Sequence, residues 1–219
     1  MDGYFKGVIF DLDGVITDTA EYHYQAWKRL AEKLGIPFDR KFNEKLKGVS
    51  RMESLNIILS RSNKSYTQEE KERLAEEKNA DYKELIAKIT PDDLLPGAGE
   101  VLESLKKHGY KLALASASKN ASFVIKKLKV EHYFDYIVDA ATIKNSKPHP
   151  EIFLTAAKGL GLAPEYCIGV EDAQAGIEAI KRAGMFAVGV GSSTLKGADV
   201  MINDLRDFDI EQYQTMVKR

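Results

Sequence analysis

The sequence predicts an α/β fold: a doubly wound, Rossmann-like parallel-sheet core with an inserted all-helical cap domain. Three observations carry this expectation. Short apolar runs recur along the chain and end in turn or polar residues. Helical patterns separate the later runs. One long stretch near the N-terminus holds helix starts and no strand candidate.

The first strand candidate is GVIF at 7–10, followed by the acidic sequence DLDG. From about Asp18 to Thr90 the pattern is helical. Asp18 with Glu21, Ser50 with Glu53 and Thr67 with Glu70 each place a capping residue three positions before a glutamate, which predicts three helix starts. The chain returns through PDDLLPG at 91–97, a proline-rich connector. The expected division is therefore a core of residues 1–16 and 94–219 around a cap of residues 17–93.

Beyond the connector, Pro96 to His108 reads as a helix stopped by Gly109, and Ala173 to Ala183 as a helix stopped by Gly184. KLALAS (111–116), YIV (136–138) and YCIGV (166–170) are strand candidates, with FAVGV (186–190) as the last. GVGSS at 189–193 lacks the dinucleotide-binding fingerprint and reads as a turn. No Walker-type loop is present.

With 219 residues, 44% of them hydrophobic, the chain can bury a full core. A net charge of −1 gives no electrostatic reason to bind nucleic acid or a membrane surface. The single cysteine, Cys167, lies inside YCIGV and reads as a small buried hydrophobe suited to a reducing compartment. With no signal pattern and no uncharged apolar run of ~18 residues, the expectation is a soluble, cytoplasmic, monomeric protein acting on small molecules.

In open α/β sheets, ligands bind where strand carboxyl ends meet helix N-termini. Asp11 and Asp13 end the first strand, Ser116 ends the second, Lys147 follows YIV, and Glu171 with Asp172 ends YCIGV. Singly, each has an ordinary explanation. Asp172 would serve as the N-cap of the helix after it, Ser116 or Ser118 as the cap for NASFVIKKL, and Lys147 as a solvated lysine. Asp11 and Asp13 resist it, because residues two apart on a strand point the same way and like charges so close need a cation or a proton. Four acids, a hydroxyl and a lysine on one edge suit phosphoryl transfer on Mg²⁺, with hard oxygen ligands for the metal and an ammonium for the phosphate. A carboxylate can itself be the nucleophile.

In the helical stretch, Ala75, Tyr82, Leu85 and Ile89 form one stripe, and Lys78 interrupts it; that lysine either snorkels or reaches a ligand. Arg51 follows the Ser50 cap at a positive helix end, beside the basic, flexible Lys47–Gly48. His23 lies on the apolar face of the first cap helix, four residues before Trp27.

DLDGV, ASAS, the isolated SKP lysine and GVED, in this order, resemble the haloacid dehalogenase superfamily of phosphotransferases. DGVITDTAEYHYQAW, KLKGVSR, ASASKN, NSKPHP and GVEDAQAGI together are similar to its β-phosphoglucomutase family, cap included. That resemblance implies interconversion of β-D-glucose 1-phosphate and β-D-glucose 6-phosphate through an aspartyl phosphate and a bisphosphate intermediate. It implies Asp11 as nucleophile and Asp13 as general acid/base. Mg²⁺ would be held by the Asp11 carboxylate, the Asp13 carbonyl and Asp172, with Glu171 in or next to that shell. Ser116 and Lys147 would bind the transferring phosphate, Arg51, Ser118 and Asn120 a distal one, and Ala117 would also contact the substrate. Lys47, Gly48 and Lys78 would contact the sugar, with Thr19 and His23 at the hinge. Ala173 departs from the pattern, since many relatives carry serine there.

Overall fold

The computed structural model describes residues 4–191 and 194–217. Ser192 and Ser193, the end of the expected GVGSS turn, lie outside the described residues. Six parallel strands form one sheet in the order β3-β2-β1-β4-β5-β6. They are β1 (Gly7–Phe10), β2 (Lys111–Leu114), β3 (Tyr136–Ile137), β4 (Cys167–Glu171), β5 (Phe186–Val190) and β6 (Val200–Ile202). The last of these corrects the expectation that FAVGV ends the sheet. VMI is a three-residue edge strand and only Ile202 in it is buried, so it carries little apolar signal.

Alternation along the strands sorts the core into two layers. Val8 and Phe10 face α5 (Ala98–Lys107), α6 (Ala121–Lys127) and α9 (Ile210–Val217), packing with Leu102, Val124 and Tyr213. Ile9 faces the opposite way, toward Phe153 of α7 (Glu151–Leu160) and Ile180 of α8 (Gln174–Arg182). Helices thus cover both faces, and β2, β3, β4 and β5 are each reached by a helical crossover, whereas β6 follows β5 through a short loop. Cys167 is buried among the second group, and burial pushes its thiol up to about 12, as a structural cysteine requires.

Between β1 and α5 lie α1 (Ala20–Lys33), α2 (Arg40–Asn43), α3 (Arg51–Leu59) and α4 (Gln68–Ile86). They bury a cluster of their own: Trp27 and Leu30 of α1, Leu55 and Ile58 of α3, and Leu74 and Ala75 of α4. Two of the three expected caps are present. Ser50 Oγ accepts from Glu53 N, and Thr67 with Glu70 forms a reciprocal capping box. The Asp18 cap is not. The N-cap of α1 is Thr19, without a side-chain cap bond, Asp18 is exposed, and Glu21 accepts instead from Arg40 at 2.7 Å. A bidentate guanidinium outcompetes a backbone N–H for that carboxylate.

The two chain crossings into the insertion are stitched together: Thr17 Oγ1 donates to Asp93 O (2.6 Å) and Leu95 N to Ile16 O (2.9 Å). Among the described residues, no helix is long and apolar enough to cross a membrane.

Candidate active site

The register of β1 decides where the chemistry-bearing residues meet. Phe10 pairs with Leu114 on one side and Val170 on the other, so all three strands end level. Asp11, Ser116 and Glu171 then leave the sheet side by side, at the central strand where the connections reverse direction.

Lys147 enters this point from the loop before α7 and is buried. Its ammonium donates to Asp11 Oδ1 at 2.8 Å, Glu171 Oε1 at 2.6 Å and Ala115 O at 3.1 Å. Burial by itself would lower its pKa, but the Asp11 and Glu171 carboxylates outweigh burial and hold the ammonium charged. It is therefore not a solvated lysine. Glu171 is also fully buried, and its second oxygen accepts from Asp172 N and Ala173 N, both at 3.0 Å. Both Glu171 oxygens are engaged, which leaves Asp11 and Asp172 with carboxylate oxygens to offer.

One oxygen each of Asp11, Glu171 and Asp172 lies within 4.8 Å of the others. Burial, then the charge of Asp11, raises the Glu171 pKa; burial, then Glu171 and Asp11, raises that of Asp172. Three carboxylates around one ammonium leave an excess negative charge in a poorly solvated place. The residues therefore fit a hard divalent cation, which offsets that charge through oxygen donors. Asp172 is not the cap of α8: Ala173 holds that position, without a side-chain bond.

Two glycines give the acids room. A Cβ on Gly14, whose φ is +77°, would overlap the Asp172 carboxylate, and one on Gly176 would overlap that of Glu171. Helix propensity alone would favour Gly176→Ala by ~1 kcal/mol. Because the methyl displaces Glu171 from Lys147, the expected result is instead a fall of roughly 100-fold in turnover, the cost of misplacing a reacting group by about 1 Å. Steady-state kinetics beside a thermal melt checks this; undiminished turnover would show that Glu171 has slack.

Asp13 sits on the insertion side of Asp11. Its Oδ1 is enclosed with no hydrogen-bond partner, and its Oδ2 lies 3.7 Å from His23 Nε2. Burial, then the Asp11 charge, raises its pKa to about 8. Lys78 of α4 is buried and lies 2.8 Å from His23 Nδ1, with its ammonium 4.6 Å from the Trp27 ring centroid and 4.7 Å from that of Tyr82. Burial, then Arg51, brings its pKa down to about 7. His23 stacks on Tyr82 at 4.0 Å, and burial, then Lys78 and Arg51, holds it neutral, with a pKa well below its usual range. A ring accepting at Nδ1 from Lys78 carries its proton on Nε2, facing Asp13. Thr19 is fully buried beside this group, its hydroxyl without a partner.

Neither Ser116 nor Ser118 caps α6; Asn120 takes that place. Ser116 Oγ accepts from Ser118 N at 3.1 Å, and Ser118 Oγ from Asn120 N at 3.3 Å, so the ASAS turn is folded on its own hydroxyls with Ala117 between them. Across the pocket, Ser50 N donates to Ser146 Oγ (3.1 Å), which ties the start of α3 to the Lys147 loop. Gly48, with φ +74°, turns the chain against the Lys147 side chain, and Lys47 Nζ pairs with Glu44 at 3.0 Å. Arg51 donates to Glu76 Oε1 (2.7 Å) and to Asn79 Oδ1 (3.0 Å).

One pocket joins Asp11, Asp13, His23, Lys47, Gly48, Arg51, Lys78, Ser116, Ala117, Ser118, Asn120, Glu171 and Asp172. Thr19 and Lys147 lie behind its wall, fully or nearly fully buried. The sequence reading missed Trp27, Asn43 and Ser54, which also line it, and Asn79, which bonds its rim. Ser54 stands one turn after Arg51 on the same helix face, a three-residue spacing that marks it in retrospect.

Comparison with known proteins agrees with this geometry. The chain is 53% identical over 209 residues to the β-phosphoglucomutase of Bacillus subtilis (strain 168), covering 94% of this chain and 92% of that one. It is 36% identical over 183 residues to a phosphorylated carbohydrates phosphatase of Thermotoga maritima, covering 82% of each. The crystal structure of a β-phosphoglucomutase from Clostridium difficile superposes with a TM-score of 0.93 at 53% identity, over 96% of both chains. The model of the haloacid dehalogenase-like hydrolases matches residues 8–190, from the first core strand through the insertion to the end of β5. With the paired aspartates, the buried lysine and the acidic turn all inside that span, the chain belongs to the haloacid dehalogenase-like hydrolase family.

Proposed function

We propose that the chain interconverts β-D-glucose 1-phosphate and β-D-glucose 6-phosphate through an aspartyl-phosphate enzyme and β-glucose 1,6-bisphosphate. One observation carries this reading: the pocket has two groups of phosphate-binding donors. Ser116 lines the pocket by Asp11, with Lys147 bonded to Asp11 just behind the wall, and Arg51 and Asn120, gathered on the Asn79 oxygen, form a second donor group in the same pocket. A bisphosphate needs two such groups, and hydrolysis of a monophosphate needs one.

Asp11 attacks phosphorus, forming an Oδ–P bond as the sugar oxygen–phosphorus bond breaks. Asp13 gives its proton to the leaving sugar oxygen; in the opposite half-reaction it removes the proton of the attacking hydroxyl. A pKa of about 8 suits that exchange near neutral pH. His23, neutral and with N–H toward Asp13, steadies the carboxylate without competing for its proton. Lys147 neutralises phosphate oxygens and Ser116 holds them; Lys47, Gly48 and Lys78 face the sugar. Asp11, Asp172 and the Asp13 carbonyl would hold Mg²⁺, which would supply charge neutralisation for the transferring phosphoryl group, while Glu171 holds Lys147. Residues 17–93 act as a cap on a core of 1–16 and 94–219, with Thr17–Asp93 and Ile16–Leu95 as the paired hinge. Closure of such a cap excludes the water that would hydrolyse the aspartyl phosphate. A pocket of this polar lining supports sugar phosphates as partners; a cytoplasmic monomer belongs to the same reading.

The second reading is a sugar-phosphate phosphatase, favoured by the similarity to the Thermotoga enzyme. The protein is given β-glucose 1-phosphate, Mg²⁺ and a trace of the bisphosphate, and glucose 6-phosphate and free phosphate are measured side by side. Stoichiometric phosphate without glucose 6-phosphate overturns the mutase reading. Arg51→Ala is expected to lower kcat/KM for the sugar phosphate by roughly 100-fold, as loss of a charged hydrogen-bond donor does, and hydrolysis of 4-nitrophenyl phosphate by far less. Equal losses in the two assays would remove Arg51 from the distal end.

A further inference from the structure

Asn79 was not among the residues the sequence singled out, yet three helices meet on its carboxamide. Its side chain is buried at 5% exposure on α4. A single atom, Oδ1, accepts from Arg51 Nη2 of α3 at 3.0 Å and from Asn120 Nδ2, at the start of α6, at 2.9 Å. Two donors converging on one atom identify it as the oxygen, and they occupy both of its lone pairs. The remaining amide group makes only a long 3.5 Å contact with Glu76.

We propose that Asn79 is the positioning residue of the distal phosphate end: its carboxamide oxygen holds Arg51 and Asn120 together, so that the two donors form one site when the insertion lies against the core. This rests on the mutase reading and adds to it. Arg51 comes from the insertion and Asn120 from the turn after β2, both line the pocket, and the Asn79 oxygen is the atom they share. Without that acceptor, Arg51 is left with Glu76, a carboxylate whose side chain is 70% exposed. That pairing draws the guanidinium toward solvent and neutralises it there, where an ion pair contributes little. Asn79 touches neither end of the substrate in this scheme. It acts by fixing the direction in which the spare N–H groups of its two partners point.

The test uses Asn79→Leu, which keeps the volume and removes the acceptor, with Asn79→Ala as the second variant if leucine does not pack. KM for β-glucose 1-phosphate is expected to rise roughly 10-fold, the loss of a hydrogen bond to a charged group, while kcat falls less than about 3-fold. Hydrolysis of 4-nitrophenyl phosphate, which has no second phosphate, should change less than about 3-fold. In an Arg51→Ala background the same substitution should move KM by less than about 3-fold, since its charged partner is gone. An unchanged KM in the single variant, or a 10-fold effect that persists without Arg51, overturns the proposal. Failure of the mutase reading shows separately, as wild-type protein that releases phosphate and makes no glucose 6-phosphate. In that event the inhibition constant of glucose 6-phosphate against 4-nitrophenyl phosphate hydrolysis decides: a roughly 10-fold rise in Asn79→Leu supports the clamp, and no rise refutes it.

Discussion

Asp11→Asn is expected to abolish both sugar-phosphate turnover and 4-nitrophenyl phosphate hydrolysis, by at least roughly 10⁴-fold, the scale of removing a nucleophile that acts covalently. The fold should survive the change. An asparagine at this position still presents an oxygen to Lys147, and it withdraws one negative charge from a cluster in which Glu171, Asp172 and Asp13 repel one another. A thermal melt no lower than that of the wild type, together with absence of a phosphorylated protein after exposure to the bisphosphate, separates lost chemistry from lost structure. Residual turnover within about 100-fold of wild type would mean that another group attacks the phosphorus. Asp13 is the obvious alternative, and its pKa of about 8 speaks against it, since that makes it largely a proton carrier at neutral pH.

The core end of the site was legible because its residues sit at strand ends, and strand ends are marked locally by an apolar run and its stop. GVIF stops at Asp11 and YCIGV at Glu171, and parallel pairing in register brings those stops level without further information. Lys147 was legible by type and position, but its burial was not, because nothing in NSKPHP says which side chain turns inward. The insertion was harder. Its helices follow from their caps, but α4 buries two adjacent polar residues, Lys78 and Asn79, and the sequence pattern drew attention only to the first. Position 79 is four after Ala75 and three before Tyr82, so it lies on the same seam. Its role depends on where α3 and α6 end in space, which no local pattern encodes. The α1 start failed for a similar reason: Glu21 is engaged by Arg40, nineteen residues on, and a local capping rule cannot see that competitor.

Lys147→Met should have the largest effect on stability, and the effect should depend on pH. The methionine fits the volume but leaves Asp11 and Glu171 facing each other with no cation, and breaking a buried pair in this way costs about 3–5 kcal/mol. In the wild-type protein the Lys147 pKa is raised by its partners, so its stabilisation is fully present below the ordinary lysine range and is lost only above it. Its own charge is therefore unchanged between pH 5 and pH 8, and any pH dependence there comes from its partners. The carboxylates behave in the opposite sense. Asp13, Glu171 and Asp172 all have raised pKa values, so in metal-free protein the folded state binds more protons than the unfolded one above about pH 4, and stability falls as pH climbs toward 8. Removing Lys147 deletes the charge that was holding Glu171 down, which steepens that fall. In urea unfolding of metal-free protein, the deficit of Lys147→Met should thus be small near pH 5, where these carboxyls are protonated, and reach its full size near pH 8. A deficit of equal size at both pH values would mean that methionine harms packing rather than charge balance. Added Mg²⁺ should recover part of the loss at pH 8 and little at pH 5, because the cation offsets the same excess negative charge that the ammonium did.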